Sequence, residues 1–401
     1  MGKQISIVGG GIGGLAAALA CSRAGSTIKL FECSQEFTEV GAGIQMGPNV
    51  VRVLQAWGLS DAVRSVAAFP ERLQVRSATS GTELGALRLG ATVVQRYGAP
   101  YATIHRADLH ALLQTALQCS SEVELNLDSE LIAFAQNDSG VKLQTASGRQ
   151  VESDLLLGAD GLWSRVRQEL LDDGVPVATG HLAYRAMVPQ KVLPVKLRSQ
   201  HITAWLGPQL HVVQYPVRGG DWLNVVAVVE GDMVGDIEYW DHGANVVKLR
   251  RSMAQTCGSL RELIHAIEHW RLWGLSIRPP VRGADELARG RVALLGDAAH
   301  PMLPYLAQGA GMAIEDAQTL ARVLQDDSLP VPDALRKYAN ARWQRNARVQ
   351  ARAVRNGHIF HATGLIRWGR DVAMRLLGER LLDVPWLYRG PGTRATAGIS
   401  G

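Results

Sequence analysis

A glycine-rich turn near the start of the chain constrains the fold more than any other feature. It joins an apolar segment at residues 5–8, predicted to be a strand, to an alanine- and leucine-rich segment at residues 15–24, predicted to be a helix. The turn carries Gly9, Gly11 and Gly14 in the spacing GxGxxG. The first glycine permits a tight turn, the second lets a pyrophosphate approach the backbone, and the third lets helix and strand pack closely. We therefore expect a βαβ unit with a pyrophosphate at the helix N-terminus, where free N–H groups favour anions.

An acidic residue ends the second predicted strand, at residues 27–31. Glu32 lies 18 residues beyond Gly14. A carboxylate at this place can accept hydrogen bonds from both ribose hydroxyls, and it would repel a 2′-phosphate. The strand, turn, helix and acid occur in the order of a dinucleotide site, although this unit alone does not separate FAD from NAD.

Two later segments each follow a short apolar run that predicts a strand. Gly158-Ala-Asp160-Gly161 follows the run at residues 153–157, and Gly296-Asp297 follows the run at residues 291–295. Asp297 would then stand at the carboxyl end of a strand, where α/β sheets bind ligands, and its carboxylate could hold the hydroxyls of a ribityl chain. A helix predicted from Gly309 and Ala310 would direct its N-terminus at the electron-rich pyrimidine edge of a flavin.

These three motifs, in this order, resemble those of the flavoprotein aromatic hydroxylases, the single-component FAD monooxygenases with a glutathione-reductase-like fold. The resemblance covers nearly the whole chain. It is closest to the salicylate, 3-hydroxybenzoate and 6-hydroxynicotinate hydroxylases, on the stretches 97–109 and 211–220. The chain departs from the pattern at residues 307–311, where no Asn follows Gln-Gly, and at Pro304, where some 3-hydroxybenzoate enzymes carry Gln.

The resemblance implies an α/β fold in which a Rossmann FAD-binding domain is interleaved with a β-sheet substrate domain and followed by a C-terminal helical segment. We expect the FAD-binding domain at residues 1–180, with a β excursion near 70–100, and again at 281–340. The substrate-binding sheet is expected at 181–280 and the helical segment at 341–401.

The resemblance also implies which residues bind the cofactor. Glu32 is expected to bind the adenosine ribose, Asp297 the ribityl chain and Arg106 the pyrophosphate region. Asp160 lies in a segment that serves both FAD and the pyridine nucleotide. The residues expected at FAD are Gly9, Gly11, Gly14, Glu32, Arg106, Asp160, Asp297, Gly309 and Ala310.

The implied reaction is hydroxylation of a small hydroxylated aromatic acid of the salicylate or 3-hydroxybenzoate type. NADH or NADPH reduces the flavin, O₂ adds at its C4a atom, and the hydroperoxide transfers oxygen to the ring. A base that accepts the phenol proton makes the ring more nucleophilic, and neutral His is suited to this near pH 7. His211 is the candidate; His211 and Tyr215 share one face of a predicted strand, about 13 Å apart. The resemblance makes both of them substrate contacts, and a 6-hydroxynicotinate-type substrate is the alternative.

Composition narrows the class of protein further. The chain has 401 residues, 47% hydrophobic and 20% charged, which is ordinary for a globular protein. Its four cysteines form no CxxC pair and no metal-ligand spacing, which predicts a reducing compartment, a cytoplasmic location and no metal. No apolar stretch approaches the roughly 20 residues of a membrane span. The four are Cys21, Cys33, Cys119 and Cys257.

The net charge of +5 is mild, and no run of like charge is dense enough for nucleic acid. The basic residues cluster late, and we expect them on a solvated helix face, with attraction of an anionic partner as the alternative. They are Arg342, Arg345, Arg348, Arg352 and Arg355.

Rival classes fit the sequence less well. A pyridine-nucleotide dehydrogenase would leave the two later motifs unexplained, and a disulfide reductase would need a redox cysteine pair near Cys33. A flavoprotein that only binds or senses stays open, and so does a homodimer.

Overall fold

The computed structural model describes residues 2–37, 42–118, 120–231, 242–243 and 246–391. Cys119 and residues 392–401 of the expected helical segment lie outside the described residues. The strands are β1 (Gln4–Val8), β2 (Thr27–Phe31), β3 (Gly43–Met46), β4 (Arg72–Ser77), β5 (Glu83–Arg88), β6 (Ala102–His105), β7 (Val123–Asn126), β8 (Leu131–Gln136), β9 (Val141–Thr145), β10 (Gln150–Ser153), β11 (Leu155–Gly158), β12 (Val177–Pro189), β13 (Ile202–Gly207), β14 (Leu210–Val217), β15 (Trp222–Glu230), β16 (His242–Gly243), β17 (Arg271–Ile277), β18 (Ala288–Arg289) and β19 (Val292–Leu294). The helices are α1 (Ile12–Arg23), α2 (Pro48–Ala56), α3 (Ser60–Val66), α4 (Gly90–Tyr97), α5 (Arg106–Gln118), α6 (Arg165–Leu171), α7 (Val246–Ser252), α8 (Gly258–Ala266), α9 (Gly309–Leu324), α10 (Val331–Phe360), α11 (Gly364–Leu377), α12 (Glu379–Leu382) and α13 (Pro385–Tyr388).

A six-stranded sheet carries the dinucleotide turn. Its order is β18-β19-β11-β1-β2-β7, and every pair is parallel except β18 with β19. Strands β1, β11 and β19 are apolar runs because helices such as α1 and α9 cover the sheet. Since parallel strands end at the same edge, Gly9, Asp160 and Asp297 all follow strands that finish side by side.

An eight-stranded sheet forms the second layer, in the order β16-β17-β12-β15-β14-β13-β4-β5. Strands β4 and β5 come from far earlier in the chain and join through the parallel pairing of β4 with β13. Helices α7 and α8 pack with one face of this sheet. The opposite face packs against residues 302–306 and the C-terminal half of α10. This face of the eight-stranded sheet is therefore covered by residues 302–306 and α10, and it is called the enclosed face below.

Most predicted elements appear where expected. Strand β2 and helix α9 have the predicted start. Helix α1 begins at Ile12 rather than residue 15, because Gly13 and the motif glycine Gly14 are themselves helical. The β pattern expected from 70 to 94 ends at Arg88, and α4 follows, with Val93 and Tyr97 buried one turn apart. None of the described helices is long and apolar enough to span a membrane.

The expected solvated face of basic residues is wrong for three of its five members, since only Arg348 and Arg355 are exposed. Arg342 is fully buried and Arg345 nearly so, and both donate to Glu315 on α9. Arg348 is exposed and stacks over Trp386, with its guanidinium carbon 4.0 Å from the ring centroid. Helical spacing placed these residues on one side of α10, but that side meets buried carboxylates.

Candidate active site

The glycine turn has the geometry that its spacing predicts. Gly9 has φ +104°, in the left-handed region where glycine is favoured. A Cβ atom at position 14 would lie 1.8 Å from the carbonyl oxygen of Gly9, so only glycine allows this approach of helix and strand. A Cβ at position 11, by contrast, would meet no atom within 4 Å. Gly11 caps α1 without any side-chain hydrogen bond, which leaves open space beside helix N–H groups that suits a pyrophosphate.

Glu32 lies directly beside this turn. Its Oε2 accepts a hydrogen bond from Gly10 N at 2.6 Å, and its Oε1 accepts one from Ser34 N at 3.0 Å. Burial raises the pKa of Glu32, but the backbone donors at Ser34 and Gly10 outweigh it and bring the pKa below its usual value. The carboxylate is thus charged and oriented at the end of β2, as a ribose-binding acid requires.

The Asp160 segment organises the start of α6. The Asp160 carboxylate accepts from Ser164 Oγ at 2.5 Å and from Val166 N at 3.1 Å, while burial raises its pKa. Ser164 in turn caps the helix by accepting from Arg167 N. The buried Arg167 side chain pairs with Asp173 and donates to two backbone carbonyls, those of Ala298 and Ala299. This arginine therefore ties the second motif to the third.

Asp297 lies in a short 3₁₀ turn after β19, next to the start of α9. Its Oδ1 would be 3.8 Å from a Cβ atom at Gly309. Asp297 is exposed, yet desolvation by the surrounding protein raises the pKa of its carboxyl group, and the nearby Arg106 and His300 oppose this rise. One site is thus surrounded by Asp297, Arg106 and the N-terminus of α9 at Gly309 and Ala310.

A buried network of charged side chains joins α9 to α10. Arg342 donates from Nε to Asp316 Oδ1 at 2.7 Å and from Nη1 to Glu315 Oε2 at 2.9 Å. Asp316 also pairs with His300 Nε2, so His300 holds the turn at Asp297 and is fully buried. Asn49 bridges Glu315 to Gln308, the residue that caps α9. Sequence reasoning missed this network because its members come from four separate parts of the chain.

The enclosed face of the eight-stranded sheet carries His211 and Tyr215 on β14. His211 is buried, and its Nδ1 is 2.8 Å from His361 Nε2. Its ring packs against Tyr305 and Phe360, with centroids 5.1 Å and 5.4 Å away. Among the described residues, the other ring nitrogen of His211, Nε2, has no hydrogen-bond partner. His361 was not foreseen, because nothing in its sequence context indicates a partner 150 residues away.

Tyr215 lies nearer the cofactor side of the same face. Gly43 packs so closely on it that a Cβ atom there would be 2.5 Å from the Tyr215 ring. Gly43 N also donates to Asn224 Oδ1, which joins β3 to this sheet. Burial raises the pKa of Tyr215, and the charge of Arg185 opposes this rise. Arg185 was also missed, although a charged residue within the apolar pattern of β12 is a usable signal.

The structure brings the expected residues into two groups. The motif residues line the carboxyl edge of the six-stranded sheet, while His211 and Tyr215 lie on the enclosed face of the other. Arg106 connects the two groups, since its charge acts on both Asp297 and Arg185. An apolar cavity of about 310 Å³ between α2, α3 and α4 touches none of the predicted site residues. An FAD molecule would fit this arrangement, which offers open space at Gly11 and the charged carboxylate of Glu32. The N-terminus of α9, which has no side-chain cap, completes it.

Comparisons with known proteins agree with this arrangement. The family described as FAD binding domain matches residues 3–353. The 3-hydroxybenzoate 6-hydroxylase of Polaromonas naphthalenivorans is 36% identical over 387 residues, covering 96% of this chain and 95% of the relative. The 6-hydroxynicotinate 3-monooxygenase of Bordetella bronchiseptica is 35% identical over 355 residues, covering 86% and 89%. The structure of a salicylate hydroxylase substrate complex has a TM-score of 0.80 and 26% identity, covering 98% of this chain and 99% of that one.

These findings confirm the expected flavoprotein fold and FAD as the cofactor. They also exclude the two alternatives of a pyridine-nucleotide dehydrogenase and a disulfide reductase. The chain belongs to the FAD binding domain family, as one of its FAD-dependent aromatic monooxygenases.

Proposed function

We propose that this enzyme hydroxylates a small hydroxylated aromatic acid, of the salicylate or 3-hydroxybenzoate type, with His211 accepting the phenol proton. One observation carries the proposal: a buried histidine on the enclosed sheet face has one ring nitrogen engaged and the other without a described partner. That is the arrangement of a base that awaits a proton from a bound ligand.

The partner of His211 sets its tautomer. When His211 donates from Nδ1 to His361 Nε2, its Nε2 carries the lone pair that a phenol hydroxyl needs. His361 then carries its own proton on Nδ1, which is buried without a hydrogen bond and lies 3.9 Å from Glu230 Oε1. Glu230 is exposed, so this chain of groups runs from the buried ring toward solvent. His361 is thus a positioning residue for His211.

The charge state of His211 fits the same role. Burial, together with His361 and His181, holds the pKa of His211 well below its ordinary value. The free enzyme therefore presents a neutral imidazole near pH 7. A developing phenolate would add negative charge beside the His211 ring and would favour its protonated form.

FAD, when bound, supplies the redox chemistry with electrons from NAD(P)H and oxygen from O₂. Glu32 would hold the adenosine ribose and Asp297 the ribityl hydroxyls. The N–H groups at Gly309 and Ala310 would stabilise negative charge on the flavin ring. Tyr215 would bound the substrate space on the side nearer the flavin.

The test is a comparison of His211→Ala with the control His201→Ala, an exposed histidine that lies before β13 of the same sheet. The panel holds salicylate, 3-hydroxybenzoate and 6-hydroxynicotinate, and both NADH oxidation and hydroxylated product are measured. Product matters because an effector that is not a substrate can trigger oxidation that ends in peroxide.

We expect His211→Ala to keep its FAD and to lose hydroxylation by roughly 10²–10⁴-fold, the usual contribution of a general base. His201→Ala should behave as the wild type does. Wild-type kcat and coupling in His211→Ala would refute the role of this residue. Product from 6-hydroxynicotinate alone would select the alternative substrate class, which the Bordetella bronchiseptica relative supports.

The cytoplasmic location, the domain boundaries and a homodimer remain predictions. The same assay, run with NADPH as well as with NADH, tests which of the two nucleotides the enzyme uses. Sedimentation of the holoenzyme at several concentrations tests the dimer directly.

A further inference from the structure

Arg185 lies in the middle of the enclosed sheet face, on the same side as the two substrate-facing residues of β14. It pairs across β12 and β15 with Val226, and Val226 pairs with Val213 of β14. Directly paired residues of an antiparallel sheet point to the same face, and Val213 lies between His211 and Tyr215 on β14. Arg185 is therefore two strands from Val213, about 10 Å across the sheet, and His211 lies about 7 Å further along β14.

The sheet face between these residues is apolar and open. Val213 and Val226 are only partly buried, although their neighbours on the same face at His211 and Val228 are buried almost completely. Partial exposure in the middle of a covered sheet indicates open space above the two valines. A flat aromatic ring could lie there with one end toward His211 and the other toward Arg185.

The Arg185 guanidinium has no counter-ion within the part of the chain that the structure describes. Its carbon lies 4.7 Å from the centroid of the Trp273 ring, and its Nε is buried without a hydrogen bond. Arg185 itself is partly exposed, whereas every described arginine that is buried has a carboxylate partner. The buried ones are Arg167, Arg278, Arg342 and Arg370, paired with Asp173, Asp173, Glu315 and Asp316, and Asp371.

The electrostatic surroundings of Arg185 also favour a bound anion. Burial and the positive charge of Arg106 lower the pKa of Arg185 to about 10, opposed by Tyr215. The group nevertheless stays charged at neutral pH. A desolvated cation near a second cation is unfavourable unless a ligand supplies negative charge, and carboxylates match the guanidinium fork in geometry.

We infer that Arg185 binds the carboxylate of the aromatic substrate, while the ring lies over Val213 and Val226 and the phenol faces His211. This inference rests on the proposed function and makes it more specific. It predicts that the enzyme selects aromatic acids over neutral phenols of the same shape. Arg185 would thus determine specificity, and Trp273 would hold its guanidinium plane in place.

The experiment measures binding to the oxidised holoenzyme, by calorimetry and by the change in flavin absorbance. The ligands are salicylate, 3-hydroxybenzoate and 6-hydroxynicotinate, each beside its neutral carboxamide. The variants are Arg185→Gln and Arg185→Lys, with Arg72→Gln as the control, a half-exposed arginine on β4 of the same sheet.

We expect Arg185→Gln to weaken binding of the preferred acid by about 10- to 100-fold and that of its carboxamide by less than about threefold, since hydrogen bonds to charged groups are the stronger ones. Arg185→Lys should lie between, because it keeps the charge and loses the fork. Arg72→Gln should change neither. Equal losses for acid and carboxamide, or an effect confined to FAD retention, would overturn the inference.

Thermal stability gives a second readout that does not depend on activity. Without ligand, Arg185→Gln should melt at or above the wild-type temperature, because a partly buried charge without a counter-ion is removed. The acid should then raise the Tm of the wild type but not of the variant. A wild type that binds and hydroxylates the acids while Arg185→Gln retains full acid affinity overturns the inference alone. A wild type that neither binds nor hydroxylates any panel ligand overturns the proposed function with it.

Discussion

Replacing Arg342 by Met should destabilise the enzyme strongly, although the residue is distant from any substrate contact. The side chain is fully buried and donates to two carboxylates, Glu315 and Asp316, which are also fully buried. Burial alone would lower the pKa of Arg342, but these two carboxylates raise it above its ordinary value. Met has a similar volume, so the substitution removes the charge and its hydrogen bonds without creating a large cavity.

The size of the effect follows from the charges that remain. Breaking a buried pair by removing one partner costs about 3–5 kcal/mol, because the other charge stays buried without compensation. With an unfolding entropy of about 2.1 cal/mol/K per residue, this corresponds to a Tm lower by roughly 4–6 °C for a chain of 401 residues. Arg345 still pairs with Glu315, and His300 still contacts Asp316, which is why we do not count two separate pairs.

The assay is thermal unfolding of the holoenzyme at saturating FAD, followed by circular dichroism. Arg336→Met is the matched control, since it lies on the same helix and its pairing with Asp285 is exposed at both ends. Exposed pairs contribute at most about 1 kcal/mol. A Tm for Arg342→Met within about 1 °C of that control (about 1 kcal/mol at this chain length) would refute the argument.

Three further predictions concern the cofactor site and the buried histidines. Asp297→Ala should yield mostly colourless apo protein, because the ribityl hydroxyls lose their acceptor; a variant with full flavin absorbance would contradict this role. Gly14→Ala should lower both FAD occupancy and Tm, since its Cβ would lie 1.8 Å from the Gly9 carbonyl, whereas Gly369→Ala, with open space around it, should do neither. The Tm should fall as the pH is lowered from 7 to 5, because burial holds the pKa of His211 well below its ordinary value and that of His361 at about 3. Only the unfolded chain then takes up protons below its pKa of about 6.5, so the contribution is lost on acidification; a Tm that rises toward pH 5 would contradict it.

The cofactor half of the molecule could be predicted because its signals are local. Glycine spacing, an acid at a strand end and short apolar runs each depend on a few neighbouring residues. The parallel strands β1, β11 and β19 are buried on both faces, so the sequence shows them as continuous apolar runs. Their common edge then follows from the rule that ligands bind at the carboxyl ends of such strands.

The substrate half depends on contacts that no local pattern carries. The same limit applies to the late arginines, where only the packing of α10 on α9 decides that Arg342 is buried against Glu315 and Asp316. The pairing of His211 with His361 likewise joins residues 150 positions apart. Arg185 is a partial exception, because charge inside an apolar strand is visible in the sequence even when its purpose is not.

The order of strands in the two sheets has a consequence for how the chain is made. Strands β4 and β5 are synthesised early, but β4 pairs with β13, which lies more than a hundred residues further along the chain. The cofactor sheet likewise lacks β19 until residue 294 has been added. At about 5–20 residues per second, roughly 15–60 s of synthesis pass before either layer is complete. During that interval apolar strand edges are exposed, so the growing chain is expected to depend on chaperones, and FAD can enter only near the end of translation.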